Sequence, residues 1–310
     1  MVVAVVVIDM RSTQPLRRPD NPFAFELGKY ALVDSSLITH REVRNIKVSG
    51  SKPIGIAFSQ GNILLLQASS IEIITPQGVR INRIPLTDTP TCFAVGADGR
   101  LAIGFGNYIA LLDTQGNTLY RSAASGSSES LYTSVAIGPN AIAVADAGAR
   151  RVRIYSHVLD SLGVFAGESG VSDVHGLIIP SAHFTLAFNA EGELWVVNPG
   201  LHSLQNYTTD GRLRGHWRRA SFEIDGFSGC CNPMYFAFHP NGSLVTSEKG
   251  LVRIKTHAIS GQLLGVVAPP ALFGGSSAPY LATDEEGRVY ALDFDRKIIR
   301  IFEPIAHEPS

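Results

Sequence analysis

The chain has 310 residues, 45% of them hydrophobic and 17% charged, which fits a globular protein with ample core. Its 26 basic and 27 acidic residues leave a formal net charge of −1. No broad basic field therefore exists to attract nucleic acid or anionic lipid, and no nucleic-acid partner is expected.

The first segment, "MVVAVVVI" (1–8), is apolar but far short of the roughly 20 residues that span a bilayer. It lacks the basic flank and small-residue cleavage site of a complete signal peptide. Residues 1–22 therefore read as a leader or disordered N-terminus, or as the tail of a truncated export signal. The export reading places the protein outside the cytoplasm, the other inside it. No transmembrane segment is expected. Three cysteines are too few for a disulfide scaffold and do not decide the compartment.

From residue 53 onward one pattern recurs six times: an apolar strand, a turn rich in Gly, Asn or Asp, a second strand, a polar break and a third strand. The units begin at "PIGIAFSQGNILLLQAS", "PTCFAVGADGRLAIGFG", "YTSVAIGPNAIAVADAG", "HFTLAFNAEGELWVVNPG", "PMYFAFHPNGSLVTSEKG" and "APYLATDEEGRVYALDF". Aligned on the turn, they place alanine in one column: Ala57, Ala94, Ala136, Ala187, Ala237 and Ala282, spaced by 37, 42, 51, 50 and 45 residues. A bulky residue precedes each, namely Ile56, Phe93, Val135, Leu186, Phe236 and Leu281. Large and small residues alternating with period 2 mark a strand. The small column suits strands crowded round a central axis.

Four-stranded units at this spacing predict an all-β fold, a six-bladed β-propeller with antiparallel blades. Blade cores should begin near 53, 90, 132, 183, 233 and 278. The last unit stops after its third strand, "KIIRIFEP", and the segment 30–48 can supply the fourth. That closure removes an exposed sheet edge. One domain over 23–305, a short tail over 306–310 and a monomer are expected.

The stretches "VADAGARRVRIYSHVLDSLGVF" (144–165) and "ALDFDRKIIRIF" (291–302) resemble NHL repeats, which build six-bladed propellers. "NPGLHSLQNYTTDGRLRGHW" (198–217), the Gly-Cys-Cys-Asn-Pro run and "SEKGLVRIKTH" (247–257) resemble an uncharacterised bacterial group of NHL-repeat proteins. The resemblance covers roughly residues 25–305. It implies the fold but little function, because such propellers serve as enzymes, ligand binders and interaction modules alike.

Propeller topology sorts the loops onto two faces. The first turns, such as "GADGR" and "DEEGR", fall together at the bottom and read as plain hairpin chemistry. The linkers after blades three, four and five (166–183, 218–233 and 268–280) are long and gather on the top, where binding usually resides. The second-to-third turns also point upward and set one residue per blade round the mouth: Gln67, Phe105, Asp146, Asn198, Glu248 and Asp293. No cofactor is predicted. Should a metal bind, Asp146, Asn198, Glu248 and Asp293 with His175 or His183 would hold Ca²⁺ or Zn²⁺ in a metal-assisted lyase or hydrolase. The alternative is that each rim group caps its own turn, and that Glu248-Lys249 is a surface charge pair.

No nucleophile elbow, phosphate loop or metal-ligand spacing appears, so catalytic residues are unknown. The inner positions two before each alanine are Gly55, Cys92, Ser134, Thr185, Tyr235 and Tyr280. None is charged, which disfavours a metal site deep in the channel. The arginines at 212, 214, 218 and 219 make only a local basic cluster.

The least ordinary stretch is "FSGCCNPMYF" (227–236). In extended chain adjacent side chains point apart, so Cys230 and Cys231 do not readily share a metal. A vicinal disulfide ring, one reactive thiolate beside a cation such as Arg218, Arg219 or Lys249, and two thiols packed under the loop all stay open. The leading expectation is a recognition propeller that binds a ligand or protein partner on the top face over blades four to six. Contacts are expected from Cys230, Cys231, Asn232, Asn198, Glu248, Lys249, His183, Tyr235 and Tyr280.

Overall fold

A computed structural model describes residues 28–167 and 176–305. The leader over 1–22, the tail 306–310 and His175 lie outside the described residues. The described chain forms six sheets of four antiparallel strands arranged as a six-bladed β-propeller. Among the described residues the helical content is one turn at Gly28–Ala31 and three short 3-10 turns. No helix among the described residues is long and apolar enough to cross a membrane.

The six inner strands are Pro53–Ser59, Cys92–Val95, Tyr132–Ile137, Leu186–Phe188, Tyr235–Phe238 and Tyr280–Thr283. The bulky residue before each column alanine is buried between blades: Ile56, Phe93, Val135, Leu186, Phe236 and Leu281 are all at most 8% exposed. The alanines sit on the other side of each strand, so the alternation follows the two faces of a pleat.

The first five blades run outward from the centre in chain order. In the sixth, the outer strand is His40–Lys47, paired with Ile298–Pro304 from His40↔Pro304 to Lys47↔Ile298. The segment expected to close the ring over 30–48 is therefore a strand only from residue 40. Upstream, Asp34 Oδ1 accepts a hydrogen bond from the Ser36 amide at 2.9 Å and starts a 3-10 turn over Ser35–Leu37, which competes with extended chain.

The core is distributed among the blade interfaces. Each of the six hydrophobic clusters joins one neighbouring pair of blades. The cluster between blades three and four holds fourteen buried residues, whereas that between blades four and five holds six. The latter seam is completed by polar and charged side chains, and the 218–233 linker crosses it.

Candidate functional site

The top end of the channel opens into a cavity of about 510 Å³ built from the N-terminal ends of the inner strands, the linkers and two second-to-third turns. Its floor is aromatic. Tyr235 and Tyr280 lie 4.6 Å apart between ring centroids, Phe294 is 6.4 Å from Tyr235, and His183 meets Tyr235 edge-on at 6.2 Å. Lys52 and Lys249 add positive charge to the lining. No aspartate or glutamate among the described residues lines it. Neither lysine forms an ion pair with a described residue.

Burial, helped by Lys249, holds the His183 imidazole below its ordinary range, so it is neutral at pH 7. Burial raises both phenols, Tyr235 and Tyr280, so they stay protonated.

Four of the expected binding residues therefore line one cavity: His183, Tyr235, Lys249 and Tyr280. The other five do not line it. Asn198 is wholly buried; its Oδ1 accepts from the Ile178 amide at 2.9 Å and its Nδ2 donates to the Gly176 carbonyl at 2.8 Å. Asn232 is also wholly buried. Its Oδ1 accepts from the Lys249 amide at 2.9 Å and its Nδ2 donates to the Lys249 carbonyl at 3.1 Å, which clamps the backbone of the cavity lysine. Cys230 is exposed, Cys231 is buried, and both are free thiols. Gly229 and Cys231 both adopt left-handed backbone, φ 64° and 63°, in a tight turn that sends one thiol out and the other in.

Glu248 and Lys249 do not form the expected surface charge pair. The Glu248 carboxylate is fully buried and holds Arg253 Nε at 2.7 Å and Lys255 Nζ at 2.8 Å, both also fully buried. Its Oε2 accepts from the amide and hydroxyl of Ser228 at 2.8 and 3.2 Å. Arg253 donates to the carbonyls of Phe222, Glu223 and Gly226 at 3.1, 3.0 and 2.9 Å, and Lys255 donates to Gly226 as well. Three carbonyls of the loop 222–228 are thus satisfied by buried cations, which is why charges lie inside this seam. Burial pulls the Lys255 ammonium down to about 8 against the pull of Glu248, and Arg253 adds to the fall.

The other rim residues are also engaged. Asp146 accepts from Arg153 at 2.9 Å and from the Leu131 and Ala149 amides, and Asp293 accepts from Arg300 at 3.1 Å and the Arg296 amide. Gln67 Nε2 donates to the Ser49 carbonyl at 2.6 Å, while Phe105 stacks on Tyr108. The rim carboxylates do not converge: among the described residues no three His, Cys, Asp or Glu side chains are grouped to hold a metal ion. Three of the four clustered arginines are paired, Arg212 with Asp210, Arg214 with Glu193 and Arg219 with Asp225.

Several lining residues were missed in the sequence, notably Lys52, Thr91, Thr133 and Phe294. The missed signal is the column three before each alanine, where Ile54, Thr91, Thr133, Phe184 and Met234 all face the cavity. Register shifts at Pro53/Gly55 and Tyr132/Ser134 mark bulges that turn Ile54 and Thr133 inward beside their neighbours.

No protein-family profile matches the chain, and no curated protein matches it. Solved structures do share the fold. A protein of unknown function from Bacteroides thetaiotaomicron is 16% identical over 85% of this chain and 72% of its own, with a TM-score of 0.61. Virginiamycin B lyase from Staphylococcus aureus is 15% identical over 86% and 89%, with a TM-score of 0.53. The WD40 propeller domain of Doa1 is 10% identical over 86% and 97%, with a TM-score of 0.55. At such identities the likeness concerns the fold alone: a β-propeller, an architecture that carries an enzyme in one neighbour and a WD40 domain in another.

Proposed function

We propose that this chain is a recognition propeller of the NHL-repeat type that binds a small ligand in the top-face cavity. The observation that carries the reading is the cavity itself. At about 510 Å³ it has the size of a small-molecule site, with an aromatic floor and a few convergent polar groups. The described residues offer nothing that favours the metal-assisted lyase or hydrolase reading, since the rim carboxylates are spent on neighbouring cations and amides. The Gly-Cys-Cys-Asn-Pro run contributes by support: through Asn232 it fixes the backbone of Lys249.

The uncharged fluorophore N-phenyl-1-naphthylamine tests the reading. It should bind saturably at one site per chain. Tyr235→Ala and Phe294→Ala should each weaken binding about tenfold, since a lost aromatic contact costs about 1 kcal/mol beyond the area no longer buried. Absence of saturable binding, or affinity unmoved by either substitution in variants that melt normally, would overturn it.

A further inference from the structure

We infer that the ligand of this cavity is an amphipathic anion: a flat apolar or aromatic body carrying one carboxylate, sulfonate or phosphate group. The inference rests on the cavity reading above and adds the sign of the ligand's charge. Lys52 and Lys249 are the charged groups among the described lining residues, and no described carboxylate accompanies them. Two described acidic groups beside the lining are already spent. Glu248 gives both oxygens to Arg253, Lys255 and Ser228, and Asp295 accepts from the Ser277 hydroxyl at 2.8 Å and the Ser277 amide at 3.0 Å.

Among the neutral groups the phenols have the matching polarity, whereas Thr133 and Thr185 have already given their hydroxyl protons to the Phe184 and Met234 carbonyls at 2.8 and 3.2 Å and offer no donor. The phenol hydroxyls of Tyr235 and Tyr280 bond to no described residue, so each retains a proton to donate. Two ammonium groups and two phenols without a described partner, on a cluster of tilted aromatic rings, fit a headgroup with negative oxygens joined to an apolar body. Lys249 is also preorganised. A wholly buried asparagine grips its amide and carbonyl, so its backbone is already ordered before a ligand arrives.

The test compares two probes with one aromatic framework, 8-anilinonaphthalene-1-sulfonate and uncharged N-phenyl-1-naphthylamine. The sulfonate should bind the native chain at least tenfold more tightly. Lys249→Gln should weaken the sulfonate about tenfold and leave the neutral probe within twofold. Lys52→Gln should act in the same sense. Bound sulfonate should be displaced by 2-naphthoate or 2-naphthyl phosphate and not by 2-naphthol; which anion competes better identifies the headgroup. Equal affinity for the two probes, or equal loss of both in Lys249→Gln, would overturn the inference while the cavity reading stands. Failure of both probes to bind would remove the cavity reading and this inference with it.

Discussion

At the scale of single residues, the blade four-to-five seam is governed by cost. Glu248, Arg253 and Lys255 put three charges where water does not reach, and one carboxylate answers two cations. Such a group tolerates no further cation nearby, and His257 is the neighbour that must stay neutral. Its ring lies 5.2 Å from Trp217 and 5.5 Å from Phe227, with both nitrogens lacking a partner of good geometry among the described residues. Burial first, and Lys255 second, push its pKa down to about 3 from the ordinary 6.5. Between those values the unfolded chain holds the proton and the folded chain does not. Stability is therefore unaffected above pH 6.5 and falls on acidification, by about 1.4 kcal/mol per pH unit down to about pH 3. His257→Leu fills the same space without a titrating group. Urea unfolding across pH 7 to 4 should show a shallower acid loss in the variant, and an unchanged slope would refute the assignment. The charged seam was half visible in the sequence. Asp146/Arg153, Asn198/Gln205, Glu248/Lys255 and Asp293/Arg300 share one spacing of seven residues across the second-to-third turn, and each pair is in contact. The rim member of each pair reads as polar from its turn, whereas its partner lies on the next strand, where only the seven-residue spacing marks it.

At the scale of the element, ring closure rests on one strand that lies far in sequence from its partner. Ile46 packs inward among Ile56, Ile63, Tyr290 and Ile299, joining the closing strand to blades one and six. Val43, at the bulge between Glu42 and Arg44, is 42% exposed on the same strand. Ile46→Ala should cost about 2–4 kcal/mol in urea unfolding, through lost burial and the void left behind. Val43→Ala should cost less than about 0.5 kcal/mol. Equal losses would mean that this strand does not hold the ring shut. The strands were legible because the large-small alternation repeats six times and each repeat reinforces the next. The limits of the closing strand were not, since local capping by Asp34 competes with pairing to a strand some 260 residues away. The cavity lining was only partly legible for a related reason. A bulge shifts which residue faces the channel, and a bulge depends on pairing across the sheet rather than on the strand's own pattern.

At the scale of the molecule, a formal net charge of −1 conceals two unlike ends of the channel. Among the described residues the top cavity is lined by Lys52 and Lys249 with no acid. The bottom cavity, about 980 Å³, is walled by Glu191, Asp284, Glu285 and Glu286 against Arg288, at the hairpin turns. Short turns favour Asn, Asp and Gly for backbone reasons, and Asp284 serves there by accepting from the Glu286 and Arg288 amides at 3.1 and 2.8 Å. The long linkers on the other face carry no such constraint. An axis with opposite signs at its ends selects which mouth an anion enters, and that selection is electrostatic and hence open to salt. Raising NaCl from about 0.01 to 1 M shortens the screening length from about 30 to about 3 Å. Across that range the dissociation constant of 8-anilinonaphthalene-1-sulfonate should rise several-fold, while that of N-phenyl-1-naphthylamine stays level or falls as salt strengthens apolar burial. Glu285→Gln, at the opposite end, should leave the sulfonate affinity within twofold at 0.1 M salt. A sulfonate affinity indifferent to salt would mean that its headgroup meets neither lysine. A strong response to Glu285→Gln would mean that the probe enters from the bottom.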